Sequence, residues 1–262
     1  MAEPVGLLVE KKGAQVWLTL DRPHRRNALT VELVEAVGDA LAAANADDDV
    51  RVAVVTGSGS AFCAGGDLPS LGAVAARGAR AATDMIYSHF HRMVGLLGSV
   101  RFPVIAAVNG PAMGAGLDLA MACDLRIASE SARFASSWIN VGLVPGMGGA
   151  HLLTRAIGAS RASELVLLGR TIDAATALDW GLVNTVVSPE ALLAKAAALA
   201  SRFEKLSVSA VASSKASLRR AGLVPFDAEL ATLGAVQGAL LVSDEFKAAT
   251  AALFGAAPEV TQ

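Results

Sequence analysis

Two apolar runs rich in β-branched residues each empty into a cluster of glycine and other small residues, and this limits the fold more than any other feature. Arg51–Thr56 (RVAVVT) leads into Gly57-Ser-Gly-Ser-Ala-Phe-Cys-Ala-Gly-Gly-Asp67, and Val104–Val108 (VIAAV) leads into Asn109-Gly-Pro-Ala-Met-Gly-Ala-Gly-Leu-Asp118. Such runs read as buried strands, and in α/β folds the loops that follow strands gather around a ligand. Small residues there let a ligand approach main-chain N–H groups closely. A dinucleotide fingerprint fails at both places, because Phe62 and Leu119 stand where the third glycine belongs. Either cluster alone reads equally well as a tight turn. Two of them, both opening apparent helices, form a pair of converging helix N-termini that supplies N–H donors for a developing oxyanion.

The rest of the chain alternates in the same manner. Gln15–Leu20 and Leu125–Ala128 read as strands, and Thr30 caps a helix with Leu33, Val34, Val37 and Leu41 on one face. Ala162–Leu168 and Ala174–Trp180 read as helices, the second stopped by Gly181. Strand-like Leu182–Val187 follows, and Ser188-Pro189 opens another helix. Past about residue 200 the strand signals end, and helical segments follow at Ser207–Ala221, Phe226–Leu241 and Asp244–Phe254. The expected organisation is an α/β core over residues 1–200 and a helical subdomain over 201–262.

Composition removes several classes. Hydrophobic residues at 53% against 18% charged supply a sizeable core and exclude a disordered chain. The mean hydropathy of +0.50 comes largely from alanine and valine, and no apolar run reaches the roughly 18 residues of a membrane span. Met1–Lys12 carries Glu3 and Glu10 and has no apolar signal region. Cys63 and Cys123 are too few for a disulfide framework and lack metal-ligand spacing, so no metal is expected and a reducing cytoplasm fits best. A net charge of −2 argues against a nucleic-acid partner.

Five ordered motifs carry a resemblance. Ile105 to Leu125 resembles the long signature of the enoyl-CoA hydratase/isomerase (crotonase) family, and Ala61-Phe-Cys-Ala-Gly-Gly-Asp-Leu68 resembles its first oxyanion loop. Asp21-Arg-Pro-His-Arg-Arg-Asn-Ala-Leu29 is similar to its coenzyme A loop, and Gly142–Gly149 and Ala177–Asn184 also match in order and spacing. The resemblance runs from about Val5 to Ala221. It implies a ββα spiral core, a helical C-terminal trimerisation region giving trimers or dimers of trimers, and an acyl-CoA substrate, with coenzyme A arriving as part of the thioester rather than as a separate cofactor. It further implies oxyanion donors at the N–H groups of Ala64 and Ala115. Arg22, Arg25, Ala28 and Leu29 would contact coenzyme A, with Ala61 and Phe62 beside it, and Gly65, Gly66, Asp67 and Gly114 would complete the loops.

The carboxylates depart from the family pattern. Hydratases of this family hold one water between two glutamates. Here the first position is Asp118, and the second, four residues before Gly142, is Trp138. Asp118 is thus the family-position acid–base residue. Trp138 and His91 further resemble the tryptophan and histidine that 4-chlorobenzoyl-CoA dehalogenases place against an aromatic acyl group. The nucleophilic aspartate of those enzymes is Gly146 here, which removes their chemistry and leaves the expectation of a flat-walled acyl pocket. The basic C-terminal stretch of many relatives is replaced by Leu253-Phe-Gly-Ala-Ala-Pro-Glu-Val260, leaving Lys215 and Lys247 as the nearest cations. The expected activity is hydration, dehydration or a 1,3-proton shift through a thioester enolate. Another enolate reaction (decarboxylation or carbon–carbon chemistry) and a non-catalytic acyl-CoA binder are the alternatives.

Overall fold

A computed structural model describes residues 5–254, so the Gly255–Val260 part of the C-terminal segment lies outside the described residues. In chain order the strands are β1 (Leu7–Lys12), β2 (Gln15–Leu20), β3 (Val52–Gly57), β4 (Val104–Val108), β5 (Ala112–Met113), β6 (Leu125–Ser129), β7 (Arg133–Ala135), β8 (Thr171–Asp173) and β9 (Thr185–Val187). The helices of the first 204 residues are α1 (Val31–Ala46), α2 (Leu68–Ala75), α3 (Ala79–Met85), α4 (Arg92–Ser99), α5 (Ala115–Ala122), α6 (Gly149–Leu168), α7 (Ala174–Asp179) and α8 (Leu192–Phe203). A π-helical turn, Ile86–His91, joins α3 to α4, and 3-10 turns cover Ser137–Val141 and Pro189–Ala191.

Six strands form one sheet in the order β1-β2-β3-β4-β6-β9, parallel apart from the β1–β2 hairpin, with Ala53 opposite Val104 and Ile105 opposite Leu125. β5, β7 and β8 form a second, smaller sheet. The continuous apolar runs of β3 and β4 are those of strands covered on both faces. Side chains alternate across a strand, so Ala53, Val55, Val104 and Ala106 face the main core, whereas Val52, Val54 and Ile105 join Trp17 and Ile127 against Leu192, Ala196 and Ala200 of α8. α1 starts where Thr30 accepts the Leu33 N–H at 3.2 Å, and Leu33, Val34, Val37 and Leu41 are all fully buried. Each such side chain contributes about 1.5–3 kcal/mol on burial.

Three local expectations change. Leu182–Val187 yields strand at Thr185–Val187, because the N–H groups of Leu182 and Val183 turn back to Ala177 O at 2.8 and 3.3 Å and close the end of α7. Ala162–Leu168 is the second half of α6, which bends at Gly158 (φ 79°, ψ 161°). The proposed boundary near residue 200 falls inside α8, whose Ala200 is fully buried, and the compact units are residues 1–204 and the chain from 205 onward.

The second unit consists, in its described part, of α9 (Val208–Arg220), α10 (Phe226–Leu241) and α11 (Asp244–Phe254). Ser207 caps α9 by accepting the Ala210 N–H at 3.1 Å. Arg220 holds Glu229 through two bonds of 2.7 and 3.0 Å. Leu218, Leu223, Phe226, Val242 and Phe246 of this unit are exposed.

Candidate active site

The two glycine-rich loops meet through a strand-like exchange of main-chain bonds. Cys63 N–H donates to Pro111 O at 3.1 Å, and Met113 N–H donates to Cys63 O at 2.9 Å. The approach is so close that a Cβ on Gly65 would stand 3.0 Å from Met113 O and 3.8 Å from Ala115 N, and Gly65 itself has φ 111°. On its other side the first loop pairs with the Asp21–Leu29 loop: Leu29 N–H donates to Gly65 O and Asp67 N–H to Leu29 O, both at 2.8 Å. In a parallel pairing of this kind the neighbours supply the bonds, so the N–H of Gly66 between them turns away from Leu29. It has no acceptor among the described residues. Gly114 (φ 50°) opens α5, and Ala115, as its first residue, has no intrahelical acceptor for its N–H.

This changes the expected donor pair. Ala64 N–H is committed to Arg26 O at 2.9 Å, so it does not serve as a free donor. Gly66 and Ala115, on the facing loops, are among the amides without a hydrogen-bond acceptor in the described residues. Only the second loop presents its donor at a helix N-terminus; the first reaches α2 at Asp67, which caps that helix by accepting the Ser70 N–H at 3.0 Å. The alternation of pairing along residues 63–67 is the signal that separates Gly66 from Ala64, and the sequence does not display it.

Asp118 lies one turn along α5 from Ala115 and is fully buried. Its Oδ2 accepts the Trp138 indole N–H at 3.1 Å. Its Oδ1 abuts Gly149 at the start of α6, where a Cβ would overlap the carboxylate oxygen; glycine is needed there to bring the helix N-terminus onto the acid. Oδ1 has no hydrogen-bond partner among the described residues. Burial pushes the Asp118 carboxyl up to about 7, against the smaller opposing effects of the Trp138 indole N–H and the nearby Met147 N–H. An acid of this proton affinity both accepts and returns a proton near neutrality.

Several residues expected at coenzyme A have other work. Arg22 is buried, bonds Ala28 O at 2.8 Å and stands 3.4 Å from Asp67 Oδ2. It therefore braces the Asp21–Leu29 loop against the first glycine loop. The side chains of Leu29 and Phe62 are fully buried in the core, and that of Ala61 is buried. Ala28 is half-buried and Arg25 exposed. Asn27, which the sequence reading passed over, is the fully buried keystone of the loop. Its amide donates to Ser58 O and Ala61 O at 2.9 and 2.8 Å and its oxygen accepts the Arg22 N–H at 2.9 Å, while Arg26 and Asn27 adopt positive φ.

On the far side of Trp138, which bonds Asp118, lies a cavity of about 520 Å³ walled by Leu71, Phe90, Trp138, Val141, Leu143 and Met147 among others, with no charged group among its described lining residues. Trp138, half-buried, lines this cavity. His91 does not line this cavity; it stands behind it, with Nε2 2.7 Å from Gly146 O. A family model described as enoyl-CoA hydratase/isomerase matches residues 10–251.

The chain belongs to the enoyl-CoA hydratase/isomerase family.

Known relatives agree. A probable enoyl-CoA hydratase of Mycobacterium bovis is 40% identical over 215 residues, covering 82% of this chain and 81% of that protein. The 2,3-dehydroadipyl-CoA hydratase of Escherichia coli is 38% identical over 225 residues, covering 86% of each. Among solved structures, a chain described as an enoyl-CoA hydratase from Streptomyces coelicolor superposes with a TM-score of 0.90 at 33% identity, covering 95% of this chain and 91% of that one. The protein is an acyl-CoA-processing enzyme with the crotonase-type α/β core and C-terminal helical region expected from its motifs.

Proposed function

We propose that this enzyme forms and reprotonates a thioester enolate, with Asp118 as acid–base and the N–H groups of Gly66 and Ala115 as oxyanion donors. Asp118 takes a proton from carbon, the C–H electron pair moves into the enolate, and the thioester oxygen gains charge between the two amides. Returning the proton at the same or the vinylogous carbon completes an exchange or a 1,3-shift. Coenzyme A takes part as the carrier half of the substrate. The observation that carries this reading is a fully buried carboxylate with one open oxygen, one helical turn from an open amide. The indole at position 138 favours proton shuttling over water addition, because it fills the second carboxylate position and occupies Oδ2. The charge-free cavity fits an apolar acyl group, bulky or aromatic. Incubating the enzyme with 2-enoyl- and 3-enoyl-CoA series and following products by mass spectrometry tests this. Double-bond migration faster than hydration supports it; hydration without migration overturns it.

We infer also that the exposed apolar residues of α9–α11 pack between copies in trimers or dimers of trimers. The two free, buried cysteines fit a cytoplasmic location. Light scattering at micromolar concentration tests the assembly, and a monodisperse monomer overturns it.

A further inference from the structure

Cys63 stands where the two glycine-rich loops cross; it is fully buried and forms no disulfide. Three of its parts touch three parts of the site. Its main chain carries the pairing to the second loop, through Pro111 O and the Met113 N–H. Its Cβ packs on the first turn of α5, where a Cβ added to Gly116 would overlap Cys63 O and stand 2.7 Å from the Cys63 Cβ. Gly116 follows Ala115 directly, so this contact seats the helix end that presents the Ala115 amide. Its Sγ reaches back along its own loop and lies 3.7 Å from Gly65 O.

A carbonyl oxygen only accepts, so the thiol is the donor in that contact. Burial pushes the Cys63 thiol up to about 12, so it keeps its proton wherever the Asp118 carboxyl titrates. The same carbonyl accepts the Leu29 N–H at 2.8 Å, and two donors thus converge on Gly65 O. Gly65 C=O and Gly66 N–H are the two ends of one planar peptide group. Hydrogen bonds in a chain polarise one another, so each donor on the oxygen strengthens the N–H at the far end.

We propose that Cys63 is a positioning residue for the oxyanion site: by donating to Gly65 O, its thiol orients the Gly65–Gly66 peptide and strengthens the Gly66 N–H toward the thioester oxygen. This rests on the reading of Gly66 and Ala115 as the oxyanion donors. The thiol takes no part in proton transfer and acts through the peptide. An S–H···O bond is a weak one, so the effect is a tuning of the donor and not an all-or-none switch.

The test is infrared spectroscopy of a saturated acyl-CoA, isotope-labelled at the thioester carbonyl, bound to wild type, Cys63→Ala and Cys63→Ser. The carbonyl stretch falls in frequency as hydrogen bonds to its oxygen strengthen, and no turnover is needed to read it. Cys63→Ala keeps the Cβ against Gly116 and loses the donor, whereas serine keeps a donor. The expected result is a wild-type band below that of the free thioester, a partial return toward the free position in Cys63→Ala, and recovery in Cys63→Ser. Turnover should fall about two- to fivefold in Cys63→Ala, with KM within about twofold of wild type, and should recover in Cys63→Ser. In wild type the S–H stretch that Cys63→Ser removes should move to lower frequency when acyl-CoA binds, since a loaded Gly66 N–H makes Gly65 O a better acceptor. An unmoved carbonyl band in folded, ligand-bound Cys63→Ala overturns the proposal while leaving the donor pair in place, as does a loss that serine shares. Should Cys63→Ala fail to fold, a wild-type S–H band unmoved by acyl-CoA overturns it instead. A wild-type carbonyl band no lower than that of the free thioester overturns the Gly66–Ala115 donor pair itself, and the proposal with it.

Discussion

The Trp138 indole N–H donates to Asp118 Oδ2 at 3.1 Å, so the residue in place of a second carboxylate is tied to the first one. The bond holds the carboxyl in one orientation and leaves Oδ1, buried against the N-terminus of α6, without a hydrogen-bond partner among the described residues. A single carboxyl with one open oxygen suits proton transfer along one path.

Asp118→Asn keeps the shape and loses the proton acceptor, so turnover should fall by about 100-fold or more. Stability should move the other way. The folded carboxyl titrates at about 7 against a usual 3.8, so between those values the folded protein binds a proton that the unfolded chain has lost. Wild-type stability therefore declines as pH rises from about 4 to 7 and is flat above, by on the order of 4 kcal/mol. Thermal melts from pH 4 to 8 should show this decline in wild type and its absence in Asp118→Asn.

Trp138→Phe keeps an aromatic wall but deletes the donor to Oδ2. The acid limb of the pH–rate profile should move up by about one unit, because a hydrogen bond to the charged form is lost. Trp138→Glu restores a second carboxylate and should raise crotonyl-CoA hydration relative to wild type. Both are read by stopped assays across pH on matched substrates.

Ala115→Pro places proline at the first position of α5, where it is best tolerated in a helix, and removes one of the two proposed oxyanion donors. Turnover should fall by roughly 100- to 1000-fold, while circular dichroism and acyl-CoA binding stay close to wild type. Unchanged turnover would exclude that amide as a donor.

What the sequence displayed and what it hid divide along physical lines. β3 and β4 were legible because burial on both faces leaves uninterrupted apolar runs, and α1 because Thr30 and the Leu33–Leu41 spacing mark its start and inner face. Asp118 and Trp138 were legible from motif position. The donor at Gly66 was hidden, since which amide of residues 63–67 stays open depends on main-chain pairing with Arg26, Leu29 and Pro111, residues distant in the chain or supplied by another loop. The Arg22–Asp67 contact was hidden, because an arginine in a loop gives no sign of a buried partner 45 positions away. His91 read as a wall of the acyl pocket, whereas the π-helical turn, which no periodicity announces, sets it behind Gly146.

Arg22 and Arg25 should separate cleanly. Arg22→Ala leaves Asp67 buried without its cation and should cost about 3 kcal/mol or more of stability, seen as a lower thermal midpoint. Arg25→Ala, at an exposed position, should leave the midpoint unchanged and weaken coenzyme A thioester binding in calorimetry.

The central claim is that this site makes an enolate with Asp118 as its base. The most direct measurement is α-proton exchange of a saturated acyl-CoA in D2O, followed by mass spectrometry, because it needs no double bond, water addition or leaving group. Wild type should incorporate deuterium at the carbon next to the thioester, and Asp118→Asn should do so at least about 100-fold more slowly while still binding the ligand. Binding without exchange in wild type, or exchange undiminished in Asp118→Asn, would contradict the account.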